Sequence, residues 1–68
     1  MKYENGDYYI GEMDDQGKRH GKGKYYFAEG PYEGGYYEGM WVNDQKEGMG
    51  NLYDKFNRIM FEGEWKEN

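Results

Sequence analysis

Few side chains in this sequence could carry covalent chemistry. The 68 residues include no serine, threonine or cysteine. The three commonest side-chain nucleophiles are therefore missing, and neither a disulfide frame nor a thiolate metal site can form. The one histidine, His20, sits in the polar stretch "DDQGKRHG". A general base or metal ligand there would find few convergent partners, so His20 is read as solvent-exposed. Asp14 and Asp15 are adjacent and point to opposite sides of a strand, which makes a poor acid–base pair, and the stretch has too few acidic ligands for a calcium loop. "GKRHGKG" lacks the spacing of a phosphate-binding loop and no helix follows it. Catalytic and metal residues, and a cofactor, are thus not expected. What remains is binding, by aromatic side chains or by the basic run Lys18, Arg19, Lys22 and Lys24.

Composition narrows the class. A net charge of −5 argues against a nucleic-acid binder, which needs a basic surplus. Aromatic residues make up 21% of the chain, far too many for an acidic disordered segment. No apolar run approaches the roughly 20 residues that span a bilayer, and "MKYENGDYY" lacks the apolar core of a signal peptide. A soluble chain, compatible with an intracellular setting, is expected. Tyrosine suits a half-buried pleated surface with a wet edge, and points to an all-β protein.

An internal repeat organises the elements. Tyr9, Gly11 and Met13 align with Tyr37, Gly39 and Trp41, and these with Phe61, Gly63 and Trp65. Gly21 and Gly23 align with Gly48 and Gly50, and Tyr3 and Gly6 with Phe27 and Gly30. The steps from Gly6 to Gly30 and from Gly39 to Gly63 are both 24 residues, whereas Gly11 to Gly39 is 28. The excess lies in "EGPYEGG", which marks a loop. Within each unit the period is two, one face aromatic and the other largely charged or thioether. Five strands are predicted, at about 8–13, 22–27, 36–42, 49–53 and 59–66. They form a single-layer antiparallel meander of stacked hairpins with no substantial helix. Residues 1–68 read as one array: repeat one at about 8–34, repeat two at 35–59 and a partial third at 60–68. "DDQGKRHG" and "NDQKEG" are the hairpin connectors, and "ENGD" carries an Asn-Gly hairpin signal. Glycines on the aromatic face let rings lie flat over a neighbouring strand. Tyr37 and Trp41 are expected to cover Gly21, Gly23 or Gly48 and Gly50.

"YYEGMWVNDQKEGMGNLY" and "YYIGEMDDQGKRHGKGKYYFAEG" resemble MORN repeats (membrane occupation and recognition nexus), whose unit reads roughly Y-E-G-x-W-x-x-G-x-x-x-G-x-G; "FEGEWKEN" is similar to the start of another. Met13 departs from the usual tryptophan, repeat one has an extra hairpin residue, and Asn57 stands where glycine is expected. The resemblance implies a non-catalytic scaffold that organises protein complexes at cytoskeletal, ciliary or membrane-associated sites, and hence a cytoplasmic location.

The aromatic face gathers Tyr9, Met13, Tyr25, Phe27, Tyr37, Trp41, Leu52, Phe61 and Trp65. It can pack on itself, and it can also receive a protein partner through Tyr9, Tyr25, Tyr37, Trp41, Phe61 and Trp65. Lys18, Arg19, Lys22 and Lys24 offer an alternative site for an anionic phospholipid; as ordinary solvated residues, Lys22 and Lys24 would face Glu12 and Glu38 across strands. A third reading is an aromatic cage for choline or carbohydrate, notably around "YYFAEG". The last strand has no return strand, so either the chain is a piece of a longer array or another chain, or a second copy, completes it. Glu62, Glu64, Lys66 and Glu67 would discourage indiscriminate pairing there.

Overall fold

The structure, a computed structural model, describes residues 1–66. Five strands, β1 (Tyr8–Met13), β2 (Arg19–Tyr26), β3 (Tyr36–Val42), β4 (Gln45–Tyr53) and β5 (Ile59–Trp65), form one antiparallel sheet in chain order. No helix occurs among the described residues. The all-β single-layer meander expected from the repeat is the fold observed, a plate of 33 × 28 × 16 Å. Glu67 lies outside the described residues.

Two strands start earlier than the sequence suggests, β2 at Arg19 and β4 at Gln45. The reason lies in the turns. Asn43 and Asp44 both have positive φ, 49° and 72°, which makes a two-residue type I′ hairpin loop. Pairing therefore resumes at once, with Val42 opposite Gln45. The β1–β2 loop is longer. There the Asp14 N–H donates to the Lys18 carbonyl, the Gly17 N–H donates to the Asp14 carbonyl, and the Asp14 carboxylate accepts from the Gln16 and Lys18 N–H groups. The same construction returns at Asp54–Arg58, with Asn57 in the place of Gly17. Asparagine tolerates the left-handed region, so this departure from glycine leaves the loop intact.

The glycines divide into two kinds. Gly21 and Gly48 have φ of 83° and 81° and sit in bulges, where the register slips between Gly11 and Met13 and between Gly39 and Trp41. Trp41 stands opposite Gly21 and Trp65 opposite Gly48. A Cβ on Gly21 would meet the Glu12 carboxylate, and one on Gly48 would meet Met40. Of the expected cover by Tyr37 and Trp41, the Tyr37 ring lies over Gly50, whereas the ring over Gly23 is that of Tyr9. The second kind forms a row straight across the sheet, Gly11–Gly23–Gly39–Gly50–Gly63, each opposite the next. Rings do cover this row. A Cβ on Gly23 would lie 2.5 Å from Cε1 and Cζ of Tyr9, and a Cβ on Gly50 would lie 2.5 Å from Cε1 of Tyr37.

These rings form the core. Tyr9, Tyr37 and Trp41 are 1%, 0% and 2% exposed, and Leu52 is buried beside them. Tyr3, Tyr25, Phe27 and Trp65 pack around them on the same face. A single sheet buries residues so deeply because each ring lies along the sheet, over backbone that carries no side chain.

Candidate functional site

Each hairpin contributes the same polar fastening to the aromatic face. The Tyr9 hydroxyl, carried over the glycine row, donates to the Glu12 carbonyl at 2.6 Å; the Tyr37 hydroxyl donates to the Met40 carbonyl at 2.9 Å. The indole N–H of the following hairpin then reaches back. Trp41 Nε1 donates to the Gly23 carbonyl at 3.3 Å and Trp65 Nε1 to the Gly50 carbonyl at 3.0 Å. Edge-on ring contacts join the units: Tyr9 to Trp41 at 5.6 Å, Tyr37 to Trp41 at 5.3 Å and Tyr37 to Trp65 at 5.2 Å. Glycine, tyrosine and tryptophan at this spacing thus bond one hairpin to the next. MORN repeats match the sequence at residues 9–31, 37–55 and 61–68, most of the chain.

The chain belongs to the MORN-repeat family. MORN repeats are generally non-catalytic modules for protein or membrane interaction. No curated protein matches the chain as a relative.

Within this MORN array the six aromatic candidates fall into three groups. Tyr9, Tyr37 and Trp41 are sealed in the core. Tyr25 and Trp65 are half-buried. Phe61, on β5, is 46% exposed. The accessible part of the face therefore lies towards β5, where Tyr32, Phe61 and Trp65 border a shallow depression over Leu52.

The basic candidates also separate. Lys18 and Lys22 are exposed. Lys24 stands over the Tyr36 ring at 5.4 Å and faces Glu38 in register. Lys22 faces Met40 on β3, while its backbone N–H donates to the Glu12 carboxylate. Arg19 belongs to the aromatic face instead. Its guanidinium lies 4.6 Å from the Trp41 ring centre, 5.1 Å from Tyr25 and 5.5 Å from Tyr3. Its Nε binds Asp44 Oδ1 at 2.8 Å and its Nη2 donates to the Asp44 carbonyl. The Arg19 backbone N–H, with the guanidinium behind it, holds the Asp44 carboxyl below its ordinary 3.8. The four cations thus do not form one patch.

Lys46 is the counterpart of Arg19 in the second repeat. Its ammonium stands 5.6 Å from the ring centres of Tyr37 and Trp41 and 5.7 Å from Trp65. Burial, and then the Arg19 charge, lower its pKa below 10.5. Arg19 and Lys46 thus already place this chain's own cations over the rings of the aromatic face.

The structure adds residues that sequence reasoning passed over. Asp7 is buried and accepts the Tyr25 hydroxyl at 2.6 Å and the Ala28 N–H at 2.8 Å. Burial pushes its carboxyl upward, but the bonds from Ala28, Tyr25 and Asn5 outweigh that and hold it below 3.8. Burial, and next the bond to Asp7, push the Tyr25 phenol up to about 12. On the opposite face Tyr8, Tyr26, Tyr36 and Tyr53 stand in register as a row of rings, 6.4, 5.4 and 4.6 Å apart. Beside it runs an open groove of about 590 Å³ lined by Ile10, Lys22, Lys24, Tyr26, Met40 and Met49. The doublets "YY" at 8–9, 25–26 and 36–37 carried the signal: adjacent strand residues point to opposite faces, so a doublet puts a ring on each.

The two sheet edges differ. The N-terminal segment folds along β1, where the Met1 carbonyl accepts the Tyr9 N–H at 2.7 Å, the Met1 ammonium donates to the Tyr9 carbonyl, and Lys2 bridges to Tyr8. No strand among the described residues pairs with the outer edge of β5.

Proposed function

We propose that this MORN array is a non-catalytic protein-binding scaffold module that captures an extended segment of a protein partner. The partner pairs with the outer edge of β5 and covers Phe61 and Trp65, the accessible end of the aromatic face. One observation supports this most. The core rings are sealed, while Phe61, at the equivalent position, is exposed beside an edge that no described strand occupies. Exposed backbone donors and acceptors next to an uncovered aromatic ring favour strand addition, in which main-chain bonds give affinity and side-chain sites give specificity.

Site-directed photo-crosslinking in cells tests this reading. A benzophenone side chain at position 61 is expected to yield protein adducts, and the same group at position 8, on the opposite face, is expected to yield few. Adducts concentrated at position 8, or lipid adducts alone, contradict it. A cytoplasmic location at cytoskeletal or ciliary structures goes with this reading and rests on the family likeness; imaging of the tagged chain outside the cell would contradict it.

A further inference from the structure

The sequence has one asparagine–glycine step, Asn5–Gly6; the asparagines at 43, 51 and 57 precede Asp44, Leu52 and Arg58. At such a step the glycine nitrogen can close a five-membered ring on the asparagine amide, with no side chain in the way. The fold needs this glycine: Gly6 has a φ of 97°, and a Cβ there would lie 3.0 Å from Cβ of Ala28. Asn5 is exposed, and its side-chain oxygen accepts the Asp7 N–H at 3.0 Å. That donor stands on the oxygen where negative charge develops when Cγ is attacked. The Gly6 N–H donates to the Tyr3 carbonyl at 2.9 Å, so local opening of the turn frees the nitrogen.

The same turn holds a strap against β1. The Tyr3 N–H donates to the Asp7 carbonyl at 2.9 Å, Lys2 bridges to Tyr8, and the Met1 carbonyl accepts the Tyr9 N–H. The Tyr3 ring stacks on Tyr25 at 5.6 Å and lies 5.5 Å from the Arg19 guanidinium.

We infer that Asn5–Gly6 is a self-modification site, and that its isoaspartate product releases the strap from β1 and uncovers Tyr25 and Arg19. The Gly6 nitrogen gives its proton to water or hydroxide and bonds to Asn5 Cγ. The Cγ–Nδ2 bond breaks, and the leaving nitrogen takes a proton from water and departs as ammonia, giving a succinimide. Water then opens the ring. Opening at Cγ gives aspartate; opening at the main-chain carbonyl carbon gives isoaspartate, whose main chain runs through Cβ and Cγ. The two products differ in what they do to the turn. Aspartate preserves it: Asp14 and Asp54 each accept the N–H two residues on, from Gln16 and Phe56, at 2.9 Å. Isoaspartate adds a carbon to the main chain between Tyr3 and Asp7, so the bond that closes the turn and the Lys2 bridge fall out of register.

The test uses the whole folded chain, aged in mildly alkaline buffer. Isoaspartyl methyltransferase then labels any isoaspartate carboxylate, and peptide mapping places the label. Label is expected in the tryptic peptide that follows Lys2 and ends at Lys18, and none there in Asn5→Gln. By hydrogen exchange the labelled chains are expected to lose protection at the Tyr9 amide. Freshly prepared Asn5→Asp, which carries the charge without the extra carbon, is expected to keep it. Label that appears only in chain unfolded by urea, or that persists in Asn5→Gln, overturns the site. Isoaspartate chains that keep Tyr9 protected, or an Asn5→Asp chain that loses that protection, overturn the release.

Discussion

Replacing Gly23 with alanine separates the packing described here from ordinary strand propensity, because the two predict opposite signs. Gly23 has no left-handed φ, so an alanine there meets no backbone strain and, by propensity alone, stabilises the fold by about 0.5–1 kcal/mol. The structure places its Cβ 2.5 Å from Cε1 and Cζ of Tyr9, a ring that is 1% exposed and has no room to retreat within the core. Moving the ring breaks the 2.6 Å hydroxyl bond to the Glu12 carbonyl and disturbs the edge contact with Trp41. Overpacking costs about 1–3 kcal/mol, and the lost hydrogen bond adds about 0.5–1.5 kcal/mol. After the propensity gain, a net loss of about 2 kcal/mol remains, set against about 3–10 kcal/mol expected for a chain of this length. In a thermal melt followed by tryptophan fluorescence, that lowers Tm by about 8–16 °C. Gly17→Ala is the matched control. Nothing lies within 4 Å of its Cβ position, but its φ is 80°, so it carries only a conformational cost of about 1–2 kcal/mol. An unchanged or raised Tm for Gly23→Ala would refute the idea that rings lying over the glycine row form the core.

Removing core and edge rings should give contrasting outcomes. Trp41→Ala costs about 3–5 kcal/mol and unfolds much of the population, whereas Phe61→Ala changes stability by about 0.5 kcal/mol or less because its ring is already exposed; denaturant titration of both checks the contrast. Arg19→Ala loses the stack on three rings as well as the Asp44 bond, so it should cost about 1–2 kcal/mol and more than Asp44→Asn. In acid, Asp7 and Asp44 both have folded pKa values below 3.8. Their contribution is therefore complete above 3.8 and lost as pH falls through the lower folded values, which an acid melt with Asp7→Asn as comparison measures. In alkali, Tyr25 is raised from 10.0 to about 12, so its contribution is complete below 10 and lost as pH rises towards 12. Lys46, depressed from 10.5, works in the opposite direction there, since losing its proton favours the folded state. Burial raises Tyr9, Tyr36 and Tyr37 as well, so spectrophotometric titration should show several late tyrosines, with one fewer in Tyr25→Phe.

Much of the fold was legible because its signals are periodic. Alternation along "YYEGMW" and its counterparts gives the strands, and the recurrence of glycine and aromatic residues gives the order and the hairpins. The bounds of β2 and β4 were harder, since "KRHG" and "DQKEG" look like loop until the positive φ of Asn43 and Asp44 shows how tight the second turn is. The split among glycines was hidden for a related reason: bulge and ring-covered positions alternate at a spacing of two, and only the register tells Gly21 from Gly23. At the candidate site, sequence identified which residues face together but not which of them stay accessible. That depends on neighbours: Tyr37 is covered because β4 and β5 lie beyond it, whereas no described strand lies beyond Phe61. Arg19 reads as a loop cation in sequence, and its role appears only when Asp44, 25 residues away, comes to meet it.

The central claim, that β5 presents the binding edge, is tested most directly by hydrogen exchange on the chain alone and on the chain purified with the protein crosslinked at position 61. Alone, backbone amides of residues 59–65 should exchange much faster than those of 36–42, which pair on both sides. In the complex, residues 59–65 should gain protection while the tyrosine row on the opposite face stays unchanged. Protection that appears instead across Tyr8, Tyr26 and Tyr36, with residues 59–65 unaffected, would contradict the account.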